Sequence, residues 1–229
     1  HRDLHSFPTR RSSDLEISSL GINVFTTGNH VWHNKDVFDF IDRDKTLLRP
    51  ANYPEPCPGR GYTIAESAAG TRIAVINLMG RTFQTLLDCP FRKMDAILKE
   101  LEGKTRIILV DFHAEATSEK VALSWYLDGR VSAVAGTHTH VQTADERILP
   151  QGTAAISDLG MTGPHDSVIG MRKEGILENF LTRRPVSFNA ASGDARFHGA
   201  LFDIDEQTGR AVKVERVSLK LEENGHAFG

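Results

Sequence analysis

Cysteine is scarce. The only two in 229 residues, Cys57 and Cys89, stand in no C-x-x-C pattern, which leaves no basis for a disulfide-stapled fold or a zinc ribbon. Long apolar runs are missing too, and neither a bilayer-crossing segment nor a secretory h-region can be found. The expected setting is the reducing cytoplasm, away from membranes. Basic charge is not in excess either: a formal net charge of −3 and a pI near 6.4 give no large cationic surface for duplex nucleic acid. A small nucleotide suits this chain better than a duplex. There is no internal repeat, low-complexity tract or convincing linker, and the length fits one domain with a core that needs no staples.

Histidine is what the chain does have, in telling places. Gly136-Thr137-His138-Thr139-His140 follows an apolar run that includes Val131, Ala133, Val134 and Ala135. In an extended segment residues i and i+2 point the same way, so both imidazoles are expected to enter one cleft and hold metal. Alone, a His-x-His is more often a surface pair. Two further segments shift the balance: Gly28-Asn29-His30 follows Ile22, Val24 and Phe25, and His113 closes the run from Ile107 through Phe112. Three strand-like runs ending in candidate ligands place them where open α/β sheets bind ligands, beyond the carboxyl ends of the strands.

Periodicity and turn residues predict the other elements. A helix end over 17–20 stops at Gly21, a strand covers 22–26, and a helix capped by Asn34 or Asp36 carries Val37, Phe38, Phe40 and Ile41. Residues 47–62, rich in proline and glycine, read as loop. A hairpin over 62–65 and 72–78 precedes a helix over 90–101, a strand over 107–113, a helix from Ser118 and Glu119 to Leu127, and strands over 131–135 and 154–157. A helix over 172–181 and antiparallel strands over 186–189, 197–204 and 212–219 complete the series. Alternation followed by hairpins predicts an α/β sandwich with mixed sheets.

Asn29, His113, His138 and His140 offer an amide oxygen and three imidazoles, donors suited to iron, manganese or zinc rather than to calcium or magnesium. Two such ions can clamp a phosphoryl group and activate water, so phosphoester hydrolysis is the expected reaction. His30, next to Asn29, is left to steady the phosphate or protonate the leaving oxygen. Asp111 and Glu115 flank His113 and either can orient its ring, or Asp111 merely ends a strand. Thr117 and Ser118 either offer donors to phosphate or simply cap a helix. Asp158 is a further candidate for supporting a ligand, Glu115 cannot be assumed to bridge two metals, His33 reads as a supporting or surface residue, and His165, His198 and His226, in no constellation, read as surface histidines.

Gly-Asn-His at 28–30, Leu-Leu-Arg-Pro-Ala-Asn-Tyr-Pro at 47–54, Val-Asp-Phe-His-Ala-Glu-Ala-Thr-Ser-Glu-Lys at 110–120 and Gly-Thr-His-Thr-His-Val-Gln-Thr-Ala-Asp at 136–145 resemble the YmdB-like family of bacterial calcineurin-type metallophosphoesterases. Asp158-Leu159-Gly160-Met161-Thr162-Gly163 reinforces the match. The resemblance implies a four-layer α/β/β/α sandwich, a binuclear centre and phosphodiesterase activity on cyclic nucleotides, notably 2′,3′-cyclic AMP. It implies one metal on Asn29, His113 and His138, the other on His140, and His30 as the catalytic histidine that binds no metal. A homo-oligomer is compatible with the resemblance, although no stripe in the sequence defines an interface.

The departures concern the start of the chain. The family pattern includes a strand ending in Gly-Asp and another ending in Glu-Asn, which supply an aspartate ligand and a bridging glutamate; neither precedes Gly28 here. The expectation is a metallophosphoesterase domain over 16–221 lacking its first one or two βα units, with residues 1–15 a non-native tail that resembles translated adapter DNA and 222–229 a C-terminal tail. Activity of these 229 residues is accordingly expected to be impaired. The alternatives are a phosphomonoesterase or nucleotidase on the same centre, a noncatalytic nucleotide-sensing or regulatory protein, and an incomplete product without function of its own.

Overall fold

The computed structural model describes residues 20–221. The readings for 1–15, for the beginning of the domain at Glu16, for residues 17–19 of the helix end and for 222–229, His226 included, lie outside the described residues. Leu20 stands in a turn.

Eleven strands and three α-helices are described, with one 3₁₀ helix, Lys35–Asp39, near the start. The strands are β1 (Phe25–Thr26), β2 (Leu47–Leu48), β3 (Tyr62–Glu66), β4 (Arg72–Met79), β5 (Ile107–His113), β6 (Ala133–Thr137), β7 (Arg147–Ile148), β8 (Ala154–Ile156), β9 (Gly163–Pro164), β10 (Ala195–Ile204) and β11 (Ala211–Lys220). The helices are α1 (Pro90–Leu101), α2 (Thr117–Tyr126) and α3 (Lys173–Thr182). A six-stranded sheet runs β3-β4-β5-β6-β8-β7, a three-stranded one β11-β10-β9, and β1 pairs with β2 alone. β4, β5, β6 and β8 are parallel, with antiparallel β3 and β7 at the edges. The expected mixed-sheet α/β class is met.

Pleating divides the large sheet's side chains between two layers. Ile108, Val110 and Phe112 of β5 pack on one face with Ala74, Ile76 and Leu78 of β4, against Met94, Ile97 and Leu101 of α1 and Leu123 of α2. Each such side chain contributes about 1.5–3 kcal/mol on burial. Proline at the first position of α1 suits a helix start, where its missing N–H has no intrahelical partner to lose. On the other face Leu109, Ala133 and Ala154 meet Phe202, Ala211 and Val214 of the β10–β11 hairpin. Alanines at this seam let the two sheets approach closely.

Register brings the strand ends level. Met79 pairs with His113, and His113 with Thr137, so β4, β5 and β6 end flush. His113 and the His138 loop therefore emerge together at one edge.

Several expectations need correction. Residues 47 and 48 are not loop but form β2, whose Leu47 and Leu48 pair with Phe25 and Thr26; two residues carry no readable alternation, and the pairing is wholly non-local. The expected helix carrying residues 37–41 is a single short 3₁₀ turn, capped as expected by Asn34, whose Oδ1 accepts from the Asp36 amide at 3.0 Å. Residues 186–189 form no strand; the Arg172 amide donates to the Asn189 carbonyl, and Met171 bridges Ala190. The remaining predicted elements stand within a few residues of their expected ends.

Candidate metal centre

The centre is assembled from the flush ends of neighbouring strands. His113 closes β5 half-buried, and its Nδ1–H donates to the Thr137 hydroxyl at 3.1 Å. Thr137 in turn donates to Asp111 Oδ1 at 2.8 Å. The other Asp111 oxygen accepts from Asn77 Nδ2 at 3.3 Å, while Asn77 Oδ1 accepts from the Thr27 amide at 3.2 Å. Asp111 thus acts on His113 through Thr137 and does not touch the ring itself. It is neither a direct orienter of the imidazole nor a bystander near a strand end.

That chain of bonds decides the tautomer. A carboxylate only accepts, so Thr137 spends its hydrogen on Asp111 and must accept from His113 Nδ1. His113 Nε2 is then left with its lone pair, 2.9 Å from Asn29 Oδ1 and 3.1 Å from His138 Nδ1. His138 is anchored in the same manner from outside, its Nε2 lying 2.8 Å from Glu115 Oε2. Burial, with the nearby His138 and His30 imidazoles, holds the His113 pKa down to about 3. Burial also lowers the His138 pKa, outweighing the attraction of Glu115. Both rings are neutral at pH 7.

Three acceptor atoms with their hydrogens turned outward therefore converge, an arrangement that calls for a cation between them. Among the described residues no three His, Cys, Asp or Glu side chains gather to hold a metal; the third member here is an amide oxygen. Amide, imidazole and imidazole form a fitting donor set for a first-row ion. Burial raises the Asp111 pKa to about 6, and the hydroxyl bonds from Thr26 and Thr137 work against that rise by favouring the carboxylate.

His30 lies beside this group, 3.5 Å from Asn29 Nδ2 and 2.9 Å from His33 Nδ1. His33 thus packs on His30 instead of joining the cluster, in line with a supporting role. Gly28 is required where it stands, because a Cβ there would collide with His113 Nε2. Gly136 is required too, since its Cβ would overlap the Ser157 carbonyl oxygen.

His138 and His140 do not enter one cleft as alternation predicts. β6 ends at Thr137, and the two histidines adopt φ of +105° and +68°, not an extended backbone. The rings part company: His138 turns to His113, while His140 Nδ1 donates to the Ile169 carbonyl at 3.0 Å and lines a neighbouring cleft. Thr139, between them, is held by Asp158, whose Oδ2 accepts from its amide at 3.1 Å and its hydroxyl at 2.7 Å. Asp158 also takes Lys120 Nζ at 2.7 Å in a fully desolvated pair and the Gly160 amide at 2.8 Å. Its contribution is to fix the backbone that carries both histidines.

Thr117 and Ser118 begin α2 exposed, and neither caps it, because Ala116 is the N-cap residue. No described hydrogen bond ties either hydroxyl to the histidine cluster. Thr137 and Lys120 are supporting residues that sequence reasoning missed, and Glu115, a candidate for orienting His113, holds His138 instead. Asn77, the one polar residue in the apolar stretch Ile73–Met79, was a readable signal for the support of Asp111. His165 and His198, expected to be isolated, pair with ring centroids 4.4 Å apart.

The YmdB-like protein family matches residues 5–217. A Bacillus subtilis 2′,3′-cyclic-nucleotide 2′-phosphodiesterase is 56% identical over 199 residues, 87% of this chain and 75% of that protein. A crystal structure of a Thermus thermophilus protein described as hypothetical superposes with a TM-score of 0.85 at 44% identity, covering 92% of this chain and 81% of that one. The structure of a Mycoplasma pneumoniae protein described as a novel phosphatase gives 0.84 at 32% identity, covering 92% and 76%. With Asn29, His113 and His138 meeting in this arrangement and relatives named as a phosphodiesterase and a phosphatase, the chain belongs to the YmdB-like family and is a phosphoric ester hydrolase by kind.

Proposed function

We propose that this chain is built as a binuclear-metal phosphodiesterase for cyclic nucleotides such as 2′,3′-cyclic AMP. The observation that carries the reading is the meeting of Asn29 Oδ1, His113 Nε2 and His138 Nδ1, with the second nitrogen of each of these two rings anchored. These three would hold one ion and His140 the other, iron, manganese or zinc being the fitting choices. When bound, such ions supply Lewis-acid stabilisation of phosphoryl charge and activation of water. His30 stays outside the ligand set and delivers a proton to the leaving oxygen, with His33 against its Nδ1 orienting the ring. Asp111 and Thr137 hold the His113 tautomer, Glu115 holds that of His138, and Asp158 fixes the loop carrying His138 and His140. The four-layer α/β/β/α order, a domain over 16–221 and a cytoplasmic setting belong to the same proposal.

Four donors do not complete two sites, and the Gly-Asp and Glu-Asn segments of the family pattern are not found before Gly28. We therefore expect these 229 residues to bind less than two metals per chain and to turn over slowly. The test is metal content after reconstitution with manganese, iron or zinc, together with hydrolysis of 2′,3′-cyclic AMP and AMP. Cleavage of the cyclic ester that is lost in a His30→Ala variant with unchanged metal content supports the reading. Preference for AMP moves the assignment to a phosphomonoesterase, and full turnover with two metals per chain refutes the expected impairment.

A further inference from the structure

A cleft of about 630 Å³ opens beside His140, walled by Arg196, Arg216, His165, His198, Ser167 and Ser218 among others. Its size lies within the small-molecule range and exceeds what one phosphate needs. No aspartate or glutamate is among its described lining residues. Each arginine is instead braced by a carboxylate outside the cleft lining: Asp194 takes Arg196 Nε at 3.2 Å and Nη2 at 2.7 Å, and Glu146 takes Arg216 Nε at 2.8 Å. A guanidinium has five N–H donors, so both retain donors in a fixed plane for a ligand. His165 Nδ1 donates to the Gly163 carbonyl at 3.0 Å, which pins the ring. His198 Nδ1 is buried against Gly160, where an added Cβ would lie 2.6 Å from it, so any contact of this ring with a ligand is made by its other edge. The wall is built for a ligand that carries negative charge.

We propose that this cleft is a second anion subsite, joined to the candidate centre through His140, which takes a phosphate beyond the scissile one. On the phosphodiesterase reading above, on which this rests, the matching substrate is a dinucleotide or short oligonucleotide ending in a cyclic phosphate, not a mononucleotide. Arg196 and Arg216 then set specificity by pairing with the neighbouring phosphodiester, while the scissile group lies toward His138 and His113.

Two measurements on the whole chain test the subsite separately from the hydrolase reading. In the metal-free protein kept in chelator, 3′-AMP is expected to bind at least ten-fold more tightly than adenosine, to shift the His165 and His198 ring proton resonances, and to lose at least ten-fold in affinity in an Arg196→Gln/Arg216→Gln variant. An Arg196→Lys/Arg216→Lys variant with unchanged thermal melting retains part of that affinity and separates charge from folding. Equal binding of 3′-AMP and adenosine, or affinity unchanged by the glutamine substitutions, overturns the proposal. In the metal-loaded chain, kcat/KM for diadenylate with a 2′,3′-cyclic phosphate is expected to exceed that for 2′,3′-cyclic AMP at least ten-fold, and the glutamine variant to erase the difference. No preference between the two esters overturns the substrate assignment. Arginine-dependent binding without hydrolysis of either ester overturns the substrate assignment and leaves the anion subsite standing.

Discussion

Replacing Asp158 by asparagine keeps the side chain's shape and removes its charge, leaving the Lys120 ammonium buried opposite an uncharged amide. The two side chains are 4% and 2% exposed and 2.7 Å apart, so solvent screening is minimal. Breaking one side of such a pair costs about 3–5 kcal/mol, most of it from the stranded charge. For a chain of this size each kcal/mol lowers the melting temperature by about 2–4 °C, so Asp158→Asn is expected to melt about 6–20 °C below the parent. The loss is also local, because the same carboxylate holds the Thr139 amide and hydroxyl and the Gly160 amide. Thermal denaturation of the parent, Asp158→Asn, Lys120→Met and the double variant gives the coupling directly. The double variant should cost less than the sum of the singles by about 2 kcal/mol or more. Additive effects, or a melting temperature within about 2 °C of the parent for Asp158→Asn, would refute the claim that this pair carries the loop.

Further predictions concern the cluster itself. Thr137→Val strands His113 Nδ1–H and takes one of its hydroxyl donors from Asp111, costing about 1–3 kcal/mol in stability and about 10–100-fold in zinc or manganese affinity; calorimetric titration should show this, with Thr137→Ser restoring both. Gly28→Ala drives a Cβ into the His113 ring, so overpacking of about 1–3 kcal/mol and loss of metal uptake are expected, and unaltered uptake would show that the ring has room to move. The depressed His113 pKa, about 3 in the fold against about 6.5 in an unfolded chain, means that the unfolded state binds an extra proton below pH 6.5. Stability should then fall as pH drops from about 6.5 to about 3, by at most about 1.4 kcal/mol per pH unit from this group. Denaturant melts at several pH values should be flatter over that window in His113→Gln, and identical slopes would contradict the assignment.

Most of the repetitive structure was legible because it rests on local rules. Burial on one face gives α1 its spacing of Met94, Ile97 and Leu101, and the β3–β4 hairpin announces itself through Ala69-Gly70-Thr71. Where the period was too short to register, as in β2, or where a backbone bond replaced a strand pairing, as around Asn189, local rules misled. At the centre, residue types pointed to Asn29, His113 and His138, and Glu115, beside His113 in sequence, serves His138 instead, but the supporting bonds from Thr137 and Lys120 leave no trace in spacing. Their partners lie on other strands or helices.

The sequence by itself determined the histidine-rich strand ends, the glycines at 28 and 136 and the family pattern they compose, since residue chemistry and short motifs need no folding to be read. Tertiary structure alone decided that β4, β5 and β6 end level, that His138 and His140 diverge through left-handed backbone, and that two arginines face one cleft beside His140. Those outcomes depend on sheet register, on steric closeness such as that of Gly136 to Ser157, and on pairings between residues far apart in the chain. Such terms are set by packing, and no local rule encodes them.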